Sequence, residues 1–129
     1  MINKCIIVGR IVYDLEIKKT PNDTALINNV VAVDRMKKSS QSEKITDFIP
    51  FTVWGKSAEY LCNYGTKGDL ITIEGSLRVD SYQSSDGANK KKYYINAENV
   101  NIIFSGRKNS EEKSEKIEEF IDLYVDNDI

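Results

Sequence analysis

The chain of 129 residues contains no histidine, two cysteines and one tryptophan. Without histidine it lacks the commonest general base, the Ser–His and Cys–His nucleophile pairs, and histidine-based metal sites. Cys5 and Cys62 are too few for a zinc cage, and their apolar neighbours indicate small core residues in a reducing compartment. The acidic residues are scattered, and no glycine-rich phosphate loop is present. We therefore expect a protein that is not an enzyme, with no catalytic residues, no metal and no cofactor.

Long apolar runs are also missing from the sequence. No segment approaches the roughly 20 apolar residues that a membrane span needs. The apolar run at residues 5–8 is too short for the core of a secretory signal. We expect a cytoplasmic protein without a membrane partner.

Charge is distributed unevenly along the chain. Residues 1–104 carry 14 basic and 12 acidic residues, a net charge of +2, whereas residues 105–129 carry 4 and 8, a net charge of −4. This asymmetry favours a body that binds a polyanion and a tail with another role. The alternative is a solvated surface followed by a disordered terminus. We predict a folded domain over residues 1–104, and a short linker with an acidic tail over residues 105–129.

Five β-rich segments and one helical segment are predicted within the body. The strands cover residues 4–12, 25–34, 45–54, 69–82 and 92–104, and the segment from Ser84 to Gly87 predicts a hairpin turn. A helix is expected from an N-cap at Ser57 to a stop at Gly65. This order predicts an all-β protein, a five-stranded OB-fold barrel with one short helix between strands 3 and 4.

The alternation of residues along the third strand predicts which side chains face the core. Ile49, Phe51 and Val53 form the apolar inward set, so Phe48 and Trp54 lie on the opposite face. A shift of the register by one residue would bury the two aromatics and expose all three of the others. The sequence therefore predicts two exposed aromatic side chains on one strand.

The same alternation along the fourth strand sends Leu77 and Val79 inward, and Arg78 and Tyr82 outward. Exposed aromatics beside basic residues suit single-stranded nucleic acid, because each unpaired base that stacks on an aromatic ring contributes ~1–3 kcal/mol. The phosphates then need cations beside the rings. The candidate cations are Lys4, Arg10, Lys18, Arg35, Lys37, Lys56, Lys67, Arg78 and the run at residues 90–92.

Interpretations without a binding function stay open for both the basic residues and the aromatics. Each lysine alone fits an ordinary solvated charge. The aromatics Phe48, Trp54 and Tyr82 also fit a subunit interface or a second small core. Together on one face of a barrel, however, the two sets favour nucleic-acid binding.

Several segments, taken in order, carry a resemblance to a known family. They read INKCIIVGRI at residues 2–11, DFIPFTVWGKSAE at 47–59, KGDL at 67–70, IEGSL at 73–77 and SY at 81–82. Over about residues 1–104 the chain resembles the bacterial and phage single-stranded DNA-binding protein (SSB) family. The short chain and unusual tail suit a phage, plasmid or mobile-element version.

The resemblance implies an OB-fold protein that coats single-stranded DNA without sequence preference during replication, recombination and repair. It also implies a homotetramer, or a smaller assembly such as a dimer, associated with the nucleoid. One aromatic position of the family falls on Met36 or Lys37 here. The family's stacking and phosphate-contacting positions fall on Phe48, Trp54 and Tyr82, and near Lys4, Lys18, Lys56 and Lys67. The alternatives are an OB-fold RNA-binding protein and a protein–protein adaptor that uses the aromatic face.

The tail departs from the family pattern, in which a long linker ends in an acidic tip that recruits replication and repair proteins. Here the helical spacing of apolar residues from Ile117 onward predicts a short amphipathic helix. Asp126, Asp128 and Ile129 resemble the acidic tip. One hypothesis is a shortened peptide that docks replication and repair proteins. Another is a helix that packs on the body and competes with DNA, and a third is a frayed acidic end.

Overall fold

The computed structural model describes residues 1–36, 39 and 43–105 of the chain. These residues form six strands and one helix: β1 (Cys5–Ile11), β2 (Lys18–Lys19), β3 (Ala25–Asp34), β4 (Thr46–Trp54), α1 (Gly55–Tyr64), β5 (Leu70–Gln83) and β6 (Asn89–Phe104). Within these ranges no helix is both long and apolar enough to cross a membrane. The predictions made for Lys37, for the amphipathic tail helix and for Asp126, Asp128 and Ile129 lie outside the described residues.

The five long strands pair in a closed ring. The order is β1-β5-β6-β4-β3, and β1 also pairs with β3 through Arg10 and Ile11. Every pairing is antiparallel except the one between β4 and β6. The predicted all-β class with one short helix is confirmed. The two-residue β2 is an addition to the predicted strands, and it places α1 after the fourth strand instead of the third.

The hydrophobic core fills the inside of the ring, because alternate residues of each strand point inward. Phe51 and Val53 of β4 are buried, as the alternation predicted, and Ile49 is half-buried against them. Ala58 and Leu61 of α1 complete one end of the core. The other buried apolar residues include Ile11, Ile27, Val31, Ile71, Ile73, Ile95, Ala97 and Val100.

The helix begins earlier than the sequence suggested. Trp54 is its N-cap residue, with extended backbone angles, and Gly55 turns the chain from β4 into α1 with a φ of 64°. This left-handed conformation costs glycine little and other residues more. The predicted cap at Ser57 is therefore wrong, since Ser57 lies inside the first turn. Trp54 consequently stands at a fixed junction between strand and helix.

Strands β5 and β6 extend beyond the ring as a two-stranded ribbon. Leu77 pairs with Ile95 and Val79 pairs with Tyr93, on the same face as the core residues of β5. Leu77 and Val79 are nevertheless 43% and 49% exposed, so their predicted burial is wrong. Among the described residues, β1 pairs with β5 only from Leu70 to Gly75, so the far part of the ribbon has no covering strand.

Candidate nucleic-acid interface

The outer face of the ring can be followed row by row across the strands, because antiparallel partners point to the same side. One row runs from Arg10 of β1 through Ala32 of β3 to Phe48 of β4. Neighbouring strands are about 4.8 Å apart, so the backbones of Arg10 and Phe48 are about 10 Å apart. A long cationic side chain and an exposed ring therefore share one row.

A second row has the same composition. It runs from Lys18 of β2 through Leu26 of β3 to Trp54 of β4. Lys18 is exposed, and none of the described carboxylates lies within 4 Å of its Nζ. Each of the two exposed aromatics of β4 thus has a basic residue two strands away on the same face.

The three predicted aromatic side chains are all exposed, at 64% for Phe48, 44% for Trp54 and 50% for Tyr82. The indole Nε1 of Trp54 donates a hydrogen bond to Asn96 Oδ1 at 3.1 Å. This bond fixes the orientation of the ring and satisfies its only donor. Tyr82 stands near the end of the ribbon, where Lys90 is its cross-strand partner. The role of Phe48, Trp54 and Tyr82 in binding nucleic acid stays a prediction.

The predicted cations fall into two groups, of which the first lacks an acidic partner within 4 Å among the described residues. Lys56 lies in the first turn of α1, two residues after Trp54, and Lys67 lies in the turn after that helix. Arg78, on the outer face of β5, donates from Nε to Ser76 Oγ at 3.3 Å. The full group is Lys18, Lys56, Lys67, Arg78, the run at residues 90–92 and the half-buried Arg10, whose Nη1 donates to Gly68 O at 3.1 Å.

The second group is already engaged with carboxylates. Arg35 makes a two-pronged contact with Asp47, from Nε at 2.9 Å and from Nη2 at 3.0 Å. This contact holds the pKa of Asp47 below its ordinary range and raises the pKa of Arg35. Lys4 forms an ion pair with Glu74, which raises the pKa of Lys4. A phosphate that approaches either cation must compete with the carboxylate.

A groove of about 250 Å³ lies on the outer face between Phe48 and Trp54. Pro50 and Thr52 of β4 form its floor, and the Oγ1 of Thr52 donates to Asn28 Oδ1 at 2.7 Å. The remaining lining residues are Tyr13, Asn28, Asn29, Val30, Phe51, Lys92 and Tyr94. Sequence reasoning did not identify this groove.

Tyr94 and Tyr13 are aromatic side chains of the groove that the sequence analysis missed, and Tyr94 has the better-defined contacts. Its hydroxyl donates to Asp80 Oδ2 at 3.0 Å, and Lys92 Nζ lies 5.5 Å from the centre of its ring. The hydrogen bond to Asp80 is the main reason why the pKa of Tyr94 is raised. Alternation along β6 contained the signal, because Ile95 and Ala97 are buried and Tyr94 is on the other side.

A second hollow, of about 590 Å³, lies at the ribbon beside Tyr82. Lys90 and Lys91 contribute to its lining, together with Ser81, Gln83 and Asn89. An aromatic ring and two cations therefore meet at a place on the ribbon remote from β4. Within residues 1–36, 39 and 43–105, no group of His, Cys, Asp and Glu residues could hold a metal ion.

A closed ring of strands with exposed rings and cations on one face is typical of proteins that bind single-stranded nucleic acid. The sequence model of the Single-strand binding protein family matches residues 2–103. The chain belongs to this family, as the resemblance predicted, and its members are binding proteins rather than enzymes. The family implies that the ring is an OB-fold.

Curated relatives agree with this assignment. "Single-stranded DNA-binding protein 2" of Streptococcus agalactiae is 46% identical over 83 residues, which cover 64% of this chain and 63% of that protein. "Single-stranded DNA-binding protein 2" of Clostridium acetobutylicum is 42% identical over 107 residues, 81% of this chain and 79% of that protein. The "Single-stranded DNA-binding protein" of Clostridium tetani is 39% identical over 109 residues, 84% of this chain and 74% of that protein. The alignment with the first of these spans less than two thirds of its length.

Proposed function

We propose that this protein binds single-stranded DNA without sequence preference. Unpaired bases stack on Phe48, Trp54 and Tyr82, and basic side chains contact the phosphates. The observation that carries the proposal is the pair of rows that place Arg10 with Phe48 and Lys18 with Trp54. Every base has a π-face, so stacking of this kind tolerates any sequence.

The contribution that we expect from each cation to DNA binding depends on whether another protein group already holds it. Lys18, Lys56, Lys67 and Arg78 have no described carboxylate within 4 Å, so we expect them to contact phosphates directly. Arg10 is partly held by the carbonyl of Gly68 and contributes beside Phe48. Lys4, Arg35, Lys37 and the run at residues 90–92 complete the predicted set. Lys4 and Arg35 must leave their carboxylates to reach DNA.

The single tryptophan provides the test, because Trp54 lies within the proposed surface. Oligo(dT), a duplex of equal length and an RNA oligomer are titrated into the protein at low and moderate salt, and Trp54 emission is followed. We expect strong quenching by oligo(dT) and little by duplex. Equal or stronger quenching by RNA would identify an RNA-binding protein instead.

The adaptor alternative has its own control. If the aromatic face were buried against a protein partner or another copy, Trp54 would be shielded from acrylamide before any DNA is added. The side chain is 44% exposed in the single chain, so we expect efficient quenching by acrylamide and protection once oligo(dT) is bound. Shielding without DNA, together with no response to oligo(dT), would contradict the proposal.

Self-association into a homotetramer, or into a dimer, is part of the proposal. Leu77 and Val79 are exposed on the ribbon, and Ile6 of β1 is 72% exposed. Residues 5–9 of β1 pair with β5 on one side, whereas only Arg10 and Ile11 pair with β3 among the described residues. An exposed apolar patch and an open strand edge are both suited to contact another chain. Light scattering coupled to gel filtration should give a mass of about four times 14.7 kDa for a tetramer, or about two times 14.7 kDa for a dimer.

We place the protein in the cytoplasm with the nucleoid or mobile-element DNA, where it protects single strands in replication, recombination and repair. The acidic tail, through Asp126, Asp128 and Ile129, would dock replication and repair proteins. Deleting residues 106–129 tests the tail. Unchanged DNA affinity and assembly with lost partner binding would support docking, whereas tighter DNA binding would support competition with DNA.

A further inference from the structure

We infer that the groove between Phe48 and Trp54 is a subsite for one unpaired base of single-stranded DNA. Tyr94 is the stacking platform of this subsite, and Lys92 contacts the adjoining phosphate. The inference rests on the proposed binding of DNA to the outer face and adds a fourth aromatic to it.

The path between the two exposed aromatics of β4 leads over the groove. Phe48 and Trp54 are six residues apart on one strand, which corresponds to about 20 Å. A stacked strand advances by about 3.4 Å for each nucleotide. At least one nucleotide therefore lies between the two rings when both are occupied, above Pro50 and Thr52.

The lining of the groove suits a base more than a charged group. Pro50, Val30 and the ring of Tyr94 provide apolar surface, and Asn28 provides the polar contact. The Oδ1 of Asn28 already accepts from Thr52, and among the described residues no acceptor is bonded to its amide Nδ2. This exposed amide is therefore available to donate to a carbonyl oxygen or ring nitrogen of a base.

Tyr94 is held in place before DNA arrives. Its hydroxyl is fixed by Asp80 at 3.0 Å, and it faces Arg78 as its cross-strand partner. The hydrogen bond to Asp80 raises the pKa of Tyr94, whose phenol is already neutral near neutral pH. Lys92 Nζ, 5.5 Å from the ring centre, can move from the ring to a phosphate when a base stacks there.

The neighbouring Tyr93 provides a matched control. It is an exposed tyrosine on the same strand, at 56%, but it pairs with Val79 and faces the opposite side of the ribbon. Tyr93→Ala and Tyr94→Ala therefore remove the same chemical group one residue apart. Only the second removes it from the groove.

The experiment compares oligo(dT) affinities of the wild type, Tyr94→Ala, Tyr94→Phe and Tyr93→Ala from the quenching of Trp54. The loss of one stacked base weakens binding about 5- to 150-fold, so we expect this range for Tyr94→Ala. Tyr94→Phe keeps the ring and should stay within about twofold of the wild type. Tyr93→Ala should bind as the wild type does. Lys92→Gln should lower the salt slope of the affinity by about 0.7.

Two results would overturn the inference while the wild type still binds oligo(dT). One is equal affinity for Tyr94→Ala and the wild type. The other is a loss in Tyr94→Phe as large as in Tyr94→Ala, which would show that Tyr94 acts through Asp80 rather than by stacking. If the wild type itself does not respond to oligo(dT), the proposed function fails first. Circular dichroism and mass measurements on each variant separate these outcomes from unfolding or changed assembly, and Tyr94→Leu replaces the alanine variant if that variant unfolds.

Discussion

Replacing Lys18 with glutamine removes one cation from the row that ends at Trp54, with little other change to the surface. Lys18 is exposed, and its strand partner Leu26 links it to Trp54 across β3. The adjacent Lys19 pairs with Ala25 and points to the other side, where its Nζ lies 3.9 Å from Glu59 of α1. Lys19→Gln is therefore the matched control, with the same charge change one residue away.

The expected magnitude follows from counterion release. On single strands the logarithm of the binding constant falls with the logarithm of salt by about 0.7 for each phosphate neutralised. If Lys18 contacts one phosphate, its removal reduces the slope by about 0.7. If the contact of Lys18 with the phosphate contributes nothing to affinity at about 1 M salt, Lys18→Gln weakens binding about 8-fold at about 50 mM and about 3-fold at about 200 mM.

The assay is a titration with oligo(dT) at several salt concentrations, followed by Trp54 emission. Lys18→Gln should give a shallower plot of log affinity against log salt, whereas Lys19→Gln should lie close to the wild type. Equal slopes for Lys18→Gln and the wild type would refute the assignment of Lys18 to the DNA surface. A similar reduction in both variants would refute the row argument, because net charge alone would then explain the effect.

The other predictions concern the ion pair of Arg35 with Asp47, the stability of the protein at low pH, and the close approach of Gly75 to the Asn96 backbone. Asp47→Asn frees Arg35, so oligo(dT) should bind more tightly at low salt. The plot of log affinity against log salt should also become steeper by up to about 0.7. Unchanged binding would place Arg35 off the DNA path. The pKa values of Asp34 and Asp47 are lowered on folding, so their stabilisation is complete above the ordinary carboxyl pKa and lost as pH falls through the lowered values. The Tm should therefore decrease as the pH falls below about 5, and less so in Asp47→Asn. A Cβ at Gly75 would lie 2.0 Å from the Asn96 carbonyl oxygen, so Gly75→Ala should cost on the order of 1–3 kcal/mol in the free energy of unfolding, and an unchanged Tm would contradict this.

Strand β4 shows where sequence reasoning succeeds. Alternation separated Phe51 and Val53 from Phe48 and Trp54, and the structure buries the first two and exposes the others. The argument works because β4 pairs with β3 over its whole length and its inner face lies on the core from Ile49 to Val53. Period-two patterns report burial reliably only under that condition.

The ribbon shows where the same reasoning fails. Leu77 and Val79 keep the phase of the core residues but lie where β1 no longer covers β5. Alternation fixes the face of a residue, whereas burial depends on how far the neighbouring strands extend. That length is set by tertiary pairing, which a single strand does not encode.

Contacts across strands were equally inaccessible from the sequence. Arg35 and Asp47 are 12 positions apart, and their pairing depends on the register of the β3–β4 hairpin. Along β6 the register shifts opposite the step from Glu74 to Gly75, so a single phase does not describe the whole strand. Tyr94 lies outside this shift and alternates regularly with Ile95, so the sequence carried its outward direction but not its place in the groove.

The hydrogen bonds of the outer face explain why its binding should be insensitive to DNA sequence. Base-edge recognition needs donors and acceptors that are free to pair with a base. Here the Trp54 indole is bonded to Asn96, the Tyr94 hydroxyl to Asp80, and the Thr52 hydroxyl to Asn28. These bonds orient the rings and leave their planes and the neighbouring cations as the main groups presented to DNA. Planes and cations interact with any base and any phosphate, whereas the amide of Asn28 in the groove can still favour one base over another.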